Sequence, residues 1–331
     1  MPRGRAANIR SSDDIELIER SGYDAWAGAR STYELLRQSA QAQPEGPAIV
    51  YVHDPADPQS TLVWSHRELL GRIHRAAALF RDLNVSRDVP IALLVPHIPS
   101  AQVALWGAQL AGCAFPINFL LNAEHVAQLL QAAGARVVVA LGPAHGLSVH
   151  ETVCRAIELA DNIRHVVWVD PNELQPAAGS FQSQLDALPD QWLAESPAAS
   201  DLAALYHTGG TTGLPKLLRH THANEVHVSR SAPAFYDFGA GDRILNGFPL
   251  FHVAGAFVYG LSCLAAGGSL FIPTLTGLRN TEFLRRAWQW LDRCEVTHLG
   301  CVPTALAALL TAPRGAGEAG QVRLALTGGS P

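Results

Sequence analysis

The sequence predicts a layered α/β protein in which mostly parallel sheets are covered by helices on both faces. Short apolar runs without alternation recur along the chain, and segments with helical spacing separate them, as in parallel sheets. With 48% hydrophobic and 16% charged residues, the chain has the composition of a folded protein. Its 331 residues are enough for two packed subdomains, because single cores stop growing near this size.

Two helices near the N-terminus are predicted from their first residues. Ser31 with Glu34, and Ser65 with Glu68, have the spacing of a capping box, in which a hydroxyl and a carboxylate satisfy free helix N–H groups. After the second pair, apolar residues recur at helical spacing up to Phe80, which predicts one buried face.

The next part of the chain alternates strands and helices. The apolar run 90–96 predicts a buried strand, and the helix that follows is expected to end at Gly112 in a left-handed conformation. Asn122 has the position of a helix N-cap. The other elements predicted here are strands at 113–117, 136–140 and 165–170 and helices at 122–134 and 146–160.

Between residues 171 and 200 the alternation stops. This stretch is rich in Pro, Ala, Ser and acidic residues, which predicts an exposed, linker-like connection with at most a short helix at 181–188. The alternation then resumes, with predicted strands at 202–207, 243–248, 269–273, 296–300 and 322–327 and helices at 254–265, 282–293 and 304–311.

One charge-free segment, 253–273, is long enough to span a bilayer. Gly267 and Gly268 divide it into a helix-length piece and a strand-length piece. We therefore predict a buried helix, a turn and a buried strand, and no transmembrane segment.

Charge, cysteine content and the N-terminal residues give no sign of a nucleic-acid-binding or secreted protein. A formal net charge of −5 gives no basic footprint, so no nucleic-acid partner is expected. The five cysteines are scattered without a CxxC pair, which is typical of thiols in a reducing compartment. The first 20 residues lack the apolar core of a secretory signal. We predict a cytoplasmic location.

The segment 206–216, YHTGGTTGLPK, directly follows a predicted strand, and ligands collect at the carboxyl ends of parallel strands. Its glycines and threonines offer N–H groups and hydroxyls, and Lys216 adds a positive charge, which together favour oxyanions such as phosphates over a plain surface loop. An NTPase phosphate loop needs the lysine directly after the last glycine, but Leu214 and Pro215 intervene. The spacing does not fit a GxGxxG fingerprint either.

Residues 208–216, TGGTTGLPK, closely resemble the phosphate-binding signature of the adenylate-forming (AMP-dependent synthetase and ligase) superfamily, (Ser/Thr)-(Ser/Gly)-Gly-(Ser/Thr)-Thr-Gly-x-Pro-Lys. The six residues after Lys216, LLRHTH, resemble a subset of bacterial acyl-CoA synthetases. Other segments resemble the same family in the same order, namely 61–80, 106–140, 249–257, 296–310 and 323–331. The resemblance covers nearly the whole chain from about residue 30, with residues 1–30 as an N-terminal extension.

The resemblance implies that residues 31–331 form part of the AMP-binding large domain of such an enzyme. It implies ATP-dependent activation of a small carboxylic acid, expected to be a fatty acid, to an acyl-adenylate and then an acyl-CoA thioester. The implied cofactors are ATP, Mg2+ and coenzyme A. The residues implied to bind the nucleotide are Thr208, Gly209, Gly210, Thr211, Thr212, Gly213, Lys216, Gly328, Gly329, Ser330 and Pro331.

Three residues receive more specific roles from the resemblance. Lys216 would offset the charge of the leaving pyrophosphate, and Thr212 would face Mg2+ held by the ATP phosphates. His252, in the PLFHVAG segment, would line the acyl pocket near the reacting carboxylate, with a satisfied core histidine as the alternative. His220 and His222 lack a third ligand at metal spacing, so a structural or surface role is expected.

Walls of the acyl pocket are open to two interpretations. The apolar run 257–264, with Tyr259, either lines the acyl channel or is simply core. The same choice applies to Thr304 and the turn at Pro303.

The family's later motifs, including its magnesium-facing glutamate and the small C-terminal domain with a catalytic lysine, have no counterpart in this sequence. We therefore expect an incomplete, N-terminal part of an acyl-CoA synthetase that lacks full activity. The alternative is a catalytically silent fragment that binds a nucleotide or an acyl group.

Overall fold

In the computed structural model, residues 11–20, 28–208, 216–313 and 320–328 are described, and they build two six-stranded sheets. The strands are, in chain order, β1 (Pro47–Val52), β2 (Thr61–Ser65), β3 (Pro90–Leu94), β4 (Cys113–Pro116), β5 (Val137–Leu141), β6 (His165–Val169), β7 (Leu202–Thr208), β8 (Lys216–Thr221), β9 (Arg243–Asn246), β10 (Ser269–Pro273), β11 (His298–Cys301) and β12 (Leu324–Thr327).

The helices lie between the strands and around the two sheets. They are Ser12–Arg20, Thr32–Ala42, His66–Asp82, Pro99–Ala111, Ala123–Ala133, Val149–Leu159, Phe181–Leu185, His222–Tyr236, Ser262–Ala265, Thr281–Arg285, Ala287–Arg293 and Pro303–Thr311, with a π-helix at Ala254–Leu261 and a 3₁₀ turn at Gly277–Arg279.

Both sheets are mostly parallel, which confirms the predicted fold class. The first sheet has the order β12-β11-β9-β10-β1-β2, and the second has the order β6-β5-β3-β4-β7-β8. Among the described strands, only β2 and β8, each at the edge of its sheet, pair antiparallel with a neighbour. The sequence did not predict β1, β2 or β8 as strands.

One continuous core joins the two sheets. It includes Ile91 and Val139 from the second sheet and Ile49 and Leu270 from the first. The helix Pro99–Ala111 is buried on every side, so it lies within this core rather than on the surface. A smaller apolar cluster packs the helix Ala287–Arg293 against the first sheet.

The helix starts agree with the predicted caps, with one difference. Ser65 and Glu68 form a complete capping box, with distances of 3.2 and 2.7 Å. Ser31 accepts from the Glu34 N–H, but the Glu34 carboxylate accepts from the N–H of Arg30 instead. That helix therefore has a side-chain cap without the reciprocal bond.

The predicted left-handed end at Gly112 is wrong. Its φ is −175°, which is extended backbone, although its N–H still donates to the Ala108 carbonyl at 2.8 Å. The physical reason is that β4 begins at the next residue, Cys113, so the chain leaves the helix directly in an extended conformation. Gly134, at the end of the next helix, does adopt a left-handed φ of 65°.

The stretch 171–200 is only partly the exposed connection that was predicted. Glu173, Phe181 and Leu185 are buried, and the short helix ends at Leu185 rather than at residue 188. The Phe181 ring stacks on Phe80 with 6.3 Å between centroids, so this half of the stretch packs on the core.

The charge-free segment 253–273 folds as predicted into a helical part, a turn at Gly267 (φ 80°) and strand β10. Within the described residues, the longest apolar helices are too short to cross a bilayer. The first part of the helical region, Ala254–Leu261, is however a π-helix. Gly255 and Gly260 are five residues apart, and a Cβ on Gly260 would lie 2.4 Å from the Gly255 carbonyl oxygen, so glycine permits this wider turn.

Candidate active site

Strands β7 and β8 form a hairpin around the glycine- and threonine-rich segment. Thr208 and Lys216 pair directly across the hairpin at the base of its loop, and both are exposed. The loop itself, 209–215, lies outside the described residues. The nucleotide contacts assigned to Gly209, Gly210, Thr211, Thr212 and Gly213 therefore remain predictions.

The loop joins two strands, and β8 was not predicted from the sequence. The helix begins only at His222, where Thr221 and Asn224 form a capping box. Lys216 is therefore presented by an antiparallel edge strand, β8, and not by a helix N-terminus. The pairing with β7 imposes this conformation, and the exposed Lys216, Leu218 and Arg219 match a solvent-facing edge strand.

The carboxyl ends of both sheets face a common cavity of about 640 Å³. His97 and Phe119 follow β3 and β4 of the second sheet, and Asn246 and Val302 come from the ends of β9 and β11 of the first. The remaining lining residues are mainly apolar, including Phe248, Phe251, Ile272, Leu275, Leu278 and Ala305. This position is the usual ligand site of open parallel sheets.

The predicted nucleotide residues leave their sheets at the same edges. Thr208 ends β7, which runs parallel to β4, and Gly328 follows β12, which runs parallel to β11. Gly329, Ser330 and Pro331 lie outside the described residues, so their assignment stays a prediction. The topology thus brings Thr208, Lys216 and Gly328 to the carboxyl edges of the two sheets, although none of the three lines the cavity.

His252 lies in the turn between β9 and the π-helix, and its side chain is exposed. Exposure excludes the alternative of a core histidine. Its Nδ1 accepts a hydrogen bond from the Ala254 N–H at 3.1 Å, so the proton of the neutral ring is on Nε2. His252 is not among the residues that line the cavity, unlike its neighbour Phe251, and its role at the reacting carboxylate stays a prediction.

Asn246 fixes the loop that carries His252, and sequence reasoning missed it. Its buried amide donates from Nδ2 to the Gly255 carbonyl at 2.8 Å and accepts at Oδ1 from the Phe248 N–H at 3.4 Å. The available signal was a polar residue within an otherwise apolar strand end. Buried amides persist where their hydrogen bonds are satisfied.

Of the two possible acyl-pocket walls, Thr304 lines the cavity. The run 257–264 is mostly buried, and Tyr259 stacks on Phe248 with 5.1 Å between ring centroids. This run therefore packs behind Phe248, which itself lines the cavity.

A buried polar cluster lies behind the hairpin. The Glu225 carboxylate accepts from Gln109 Nε2 at 2.8 Å, and its other oxygen is 3.6 Å from Nδ1 of His220 on β8. Burial raises the pKa of Glu225. Tyr206 contacts the His220 ring, and both rings meet Phe257 edge-on, so the hairpin touches the π-helix.

His222 has a structural role, as expected. It is buried, its Nδ1 lies 3.1 Å from Thr32 Oγ1, and burial lowers its pKa to about 4. Within the described part of the chain, no three His, Cys, Asp or Glu side chains cluster as metal ligands would.

Comparison with known proteins agrees with this architecture. The family model described as AMP-binding enzyme matches residues 36–331. The chain is 27% identical over 321 residues to a marinolic acid–CoA ligase of Pseudoalteromonas sp., covering 94% of this chain and 48% of the ligase. It is 30% identical over 293 residues to a 4-chlorobenzoate–CoA ligase of Arthrobacter sp., covering 85% and 49%. The chain thus spans about half the length of these relatives.

A solved structure, the inhibitor-bound N-terminal domain of FACL13 from Mycobacterium tuberculosis, superposes with a TM-score of 0.75 at 25% identity. The superposition covers 92% of this chain and 71% of that domain. The two-sheet architecture is therefore that of the N-terminal domains of adenylate-forming acyl-CoA synthetases.

Proposed function

This chain belongs to the family of AMP-binding enzymes, and on that premise we propose that it is part of an ATP-dependent acyl-CoA synthetase. The reaction joins a carboxylic acid to AMP with release of pyrophosphate, and the acyl group then passes to the thiol of coenzyme A. The observation that carries the proposal is the 208–216 signature, whose first and last residues pair across a hairpin at the carboxyl edge of the second sheet.

The phosphate side is assigned to the hairpin. Lys216 is an exposed cation directly opposite Thr208, which fits a triphosphate approaching the loop. A carboxylate and a triphosphate repel each other, so the site must neutralise charge and hold the two groups in line. We assign Lys216 to the charge on the leaving pyrophosphate, and Gly328 to the nucleotide border of the first sheet.

The acid side is assigned to His252 and the cavity. With its proton on Nε2, His252 can donate a hydrogen bond to the carboxylate as it attacks the α-phosphate. The apolar cavity has a size typical of small-molecule sites and suits the hydrocarbon body of the acid and the arm of coenzyme A. We therefore propose an acid with an apolar body, with a fatty acid as the expected substrate.

Magnesium would reach this site with the nucleotide. The described residues offer no cluster of metal ligands, so the protein's contribution would be the Thr212 hydroxyl, which lies outside them. We assign Mg2+ to the ATP phosphates.

A cytoplasmic location is also part of the proposal, supported by five cysteines that all remain free thiols.

Carboxylate-dependent exchange of pyrophosphate into ATP tests the proposal on the purified 331-residue chain. Octanoate and benzoate, each with MgATP, separate an aliphatic from an aryl preference. We expect exchange that depends on the acid and is faster with octanoate. ATP binding without exchange would support the alternative of a silent nucleotide-binding fragment, and the absence of exchange in an extended chain that carries the family's later motifs would overturn the proposal.

A further inference from the structure

His97 lies in the segment that follows β3, where its ring lines the cavity between the two sheets. Its two ring nitrogens contact residues that follow strands of different sheets. Gln102 belongs to the helix after β3 of the second sheet, and Phe248 belongs to the loop after β9 of the first. We propose that His97 is a positioning residue that holds the loop carrying His252 against the second sheet.

A chain of hydrogen bonds determines which nitrogen of His97 carries the proton. Trp106 Nε1 can only donate, and it donates to Gln102 Oε1 at 2.8 Å. This bond fixes the orientation of the Gln102 amide, so its NH2 group points to His97 Nε2, also at 2.8 Å. Nε2 must accept, and Nδ1–H therefore donates to the Phe248 carbonyl at 3.1 Å.

The hydrogen bond from His97 completes the fixation of Phe248. The Phe248 N–H already donates to Asn246, and its carbonyl accepts from His97, so both backbone groups are held. Four residues later, the His252 carbonyl accepts from the N–H groups of Gly255 and Ala256 at 3.0 and 3.1 Å and starts the π-helix. The turn Pro249–His252 is thus held at both ends, and His97 supplies the only one of these bonds that comes from the second sheet.

Neutral His97 is the form that this chain of bonds requires. A second proton on Nε2 would point at the Gln102 NH2 group, and the amide could turn only by giving up the bond from Trp106. Burial acts in the same direction and lowers the pKa of His97 to about 4.

The tautomer provides a spectroscopic test in the wild-type chain. Long-range 1H–15N correlation spectra of protein labelled with 15N-histidine distinguish a protonated from an unprotonated ring nitrogen. We expect His97, identified by the signals that His97→Phe removes, to be neutral at pH 7 with Nδ1 protonated and Nε2 not. A charged ring, or a proton on Nε2, would overturn the proposal.

Hydrogen exchange of the wild-type and variant chains tests the positioning itself. In His97→Phe, which lacks a donor, we expect roughly tenfold faster amide exchange in peptides covering 246–256. His97→Gln keeps an N–H donor and should restore part of the protection. His74→Phe is the matched control, because His74 lies 2.7 Å from another carbonyl, that of Asp190, in a different loop.

Two results would contradict the positioning role. One is equal amide exchange at 246–256 in wild type and His97→Phe, and the other is faster exchange of these amides in the His74 control as well.

The consequence for catalysis rests on the proposed function: where pyrophosphate exchange is measurable, His97→Phe should lower kcat more than it raises KM for ATP. The spectra and the amide exchange need no activity, so a failure of the proposed function is distinguishable from a failure of this inference.

Discussion

Glu173 caps the buried helix that begins at Pro99. Its carboxylate accepts hydrogen bonds from the backbone N–H of Ser100 at 2.9 Å and from the Ser100 hydroxyl at 2.8 Å. Ile98, at the N-cap position, has no side chain that could do this, so a residue from the 171–200 stretch satisfies the helix end. In this position the Glu173 carboxylate loses its hydration, which disfavours its charged form. Burial therefore raises its pKa to about 7.

Because the pKa of Glu173 is raised in the folded chain, we expect the stability of the protein to depend on pH. Between pH 4.5 and 7 the folded chain keeps a proton on Glu173 that the unfolded chain has lost, so the free energy of unfolding falls as the pH rises. The group's contribution should decline by about 3 kcal/mol over this range and stay constant above it. Glu173→Gln cannot titrate and lacks this decline.

Urea unfolding of the wild type and Glu173→Gln across pH 4.5 to 8 gives the difference between their free energies of unfolding. The contributions of all other titrating groups cancel in this difference. We expect the stability of the wild type relative to Glu173→Gln to drop up to pH 7. Parallel stability curves for the two proteins would show that Glu173 does not titrate as described.

The helices His66–Asp82 and Pro99–Ala111 pack closely at Gly107 but leave room at Gly71, so we expect alanine substitutions at these two glycines to change stability in opposite directions. A Cβ on Gly107 would lie 2.6 Å from the Ala76 Cβ, whereas a Cβ on Gly71 would meet only the Asp190 Cβ at 3.5 Å. Gly71→Ala should therefore stabilise the protein by up to about 1 kcal/mol through helix propensity. Gly107→Ala should instead destabilise it by about 1–3 kcal/mol, because the helices must separate. Chemical unfolding checks both, and a stabilised Gly107→Ala would mean that the helices are less closely packed.

Thiol reactivity tests the burial of the cysteines. Cys154 is partly exposed, while Cys113, Cys263, Cys294 and Cys301 are buried. Burial raises the pKa of Cys113 to about 12 and also raises that of Cys263, so the reactive thiolate is suppressed there. Ellman's reagent should titrate one thiol rapidly in the native chain and all five after unfolding. Cys154→Ser should abolish the rapid phase, and a rapid phase that persists would contradict this assignment.

Much of the fold follows from local pattern. The central strands β3 and β5 are continuous apolar runs, and Ser65 and Asn122 start helices by chemistry that is visible within four residues. Parallel strands need burial on both faces, so such runs predict the sheet without any knowledge of its partners.

Features that depend on distant partners could not be predicted in this way. Strand β8 exists because it pairs with β7, and its exposed polar residues give no strand pattern of their own. Glu173 looks like a linker acid until Ser100, far away in the sequence, is placed beside it. At the site, the signature string predicted Lys216, but His97 and Asn246 act through backbone groups of a loop whose position only the fold determines.

Lys216 is the residue on which the proposed chemistry can be tested most directly. It is exposed at the start of β8, so Lys216→Ala should leave the melting temperature unchanged. Loss of a preorganised positive group at the leaving pyrophosphate should slow ATP–pyrophosphate exchange on the order of 100-fold. Arg219→Ala is the matched control, because Arg219 is an exposed cation on the opposite face of the same strand and its removal should have little effect. Equal rates in both variants would show that a general loss of positive charge, and not the position of Lys216 opposite Thr208, determines the rate.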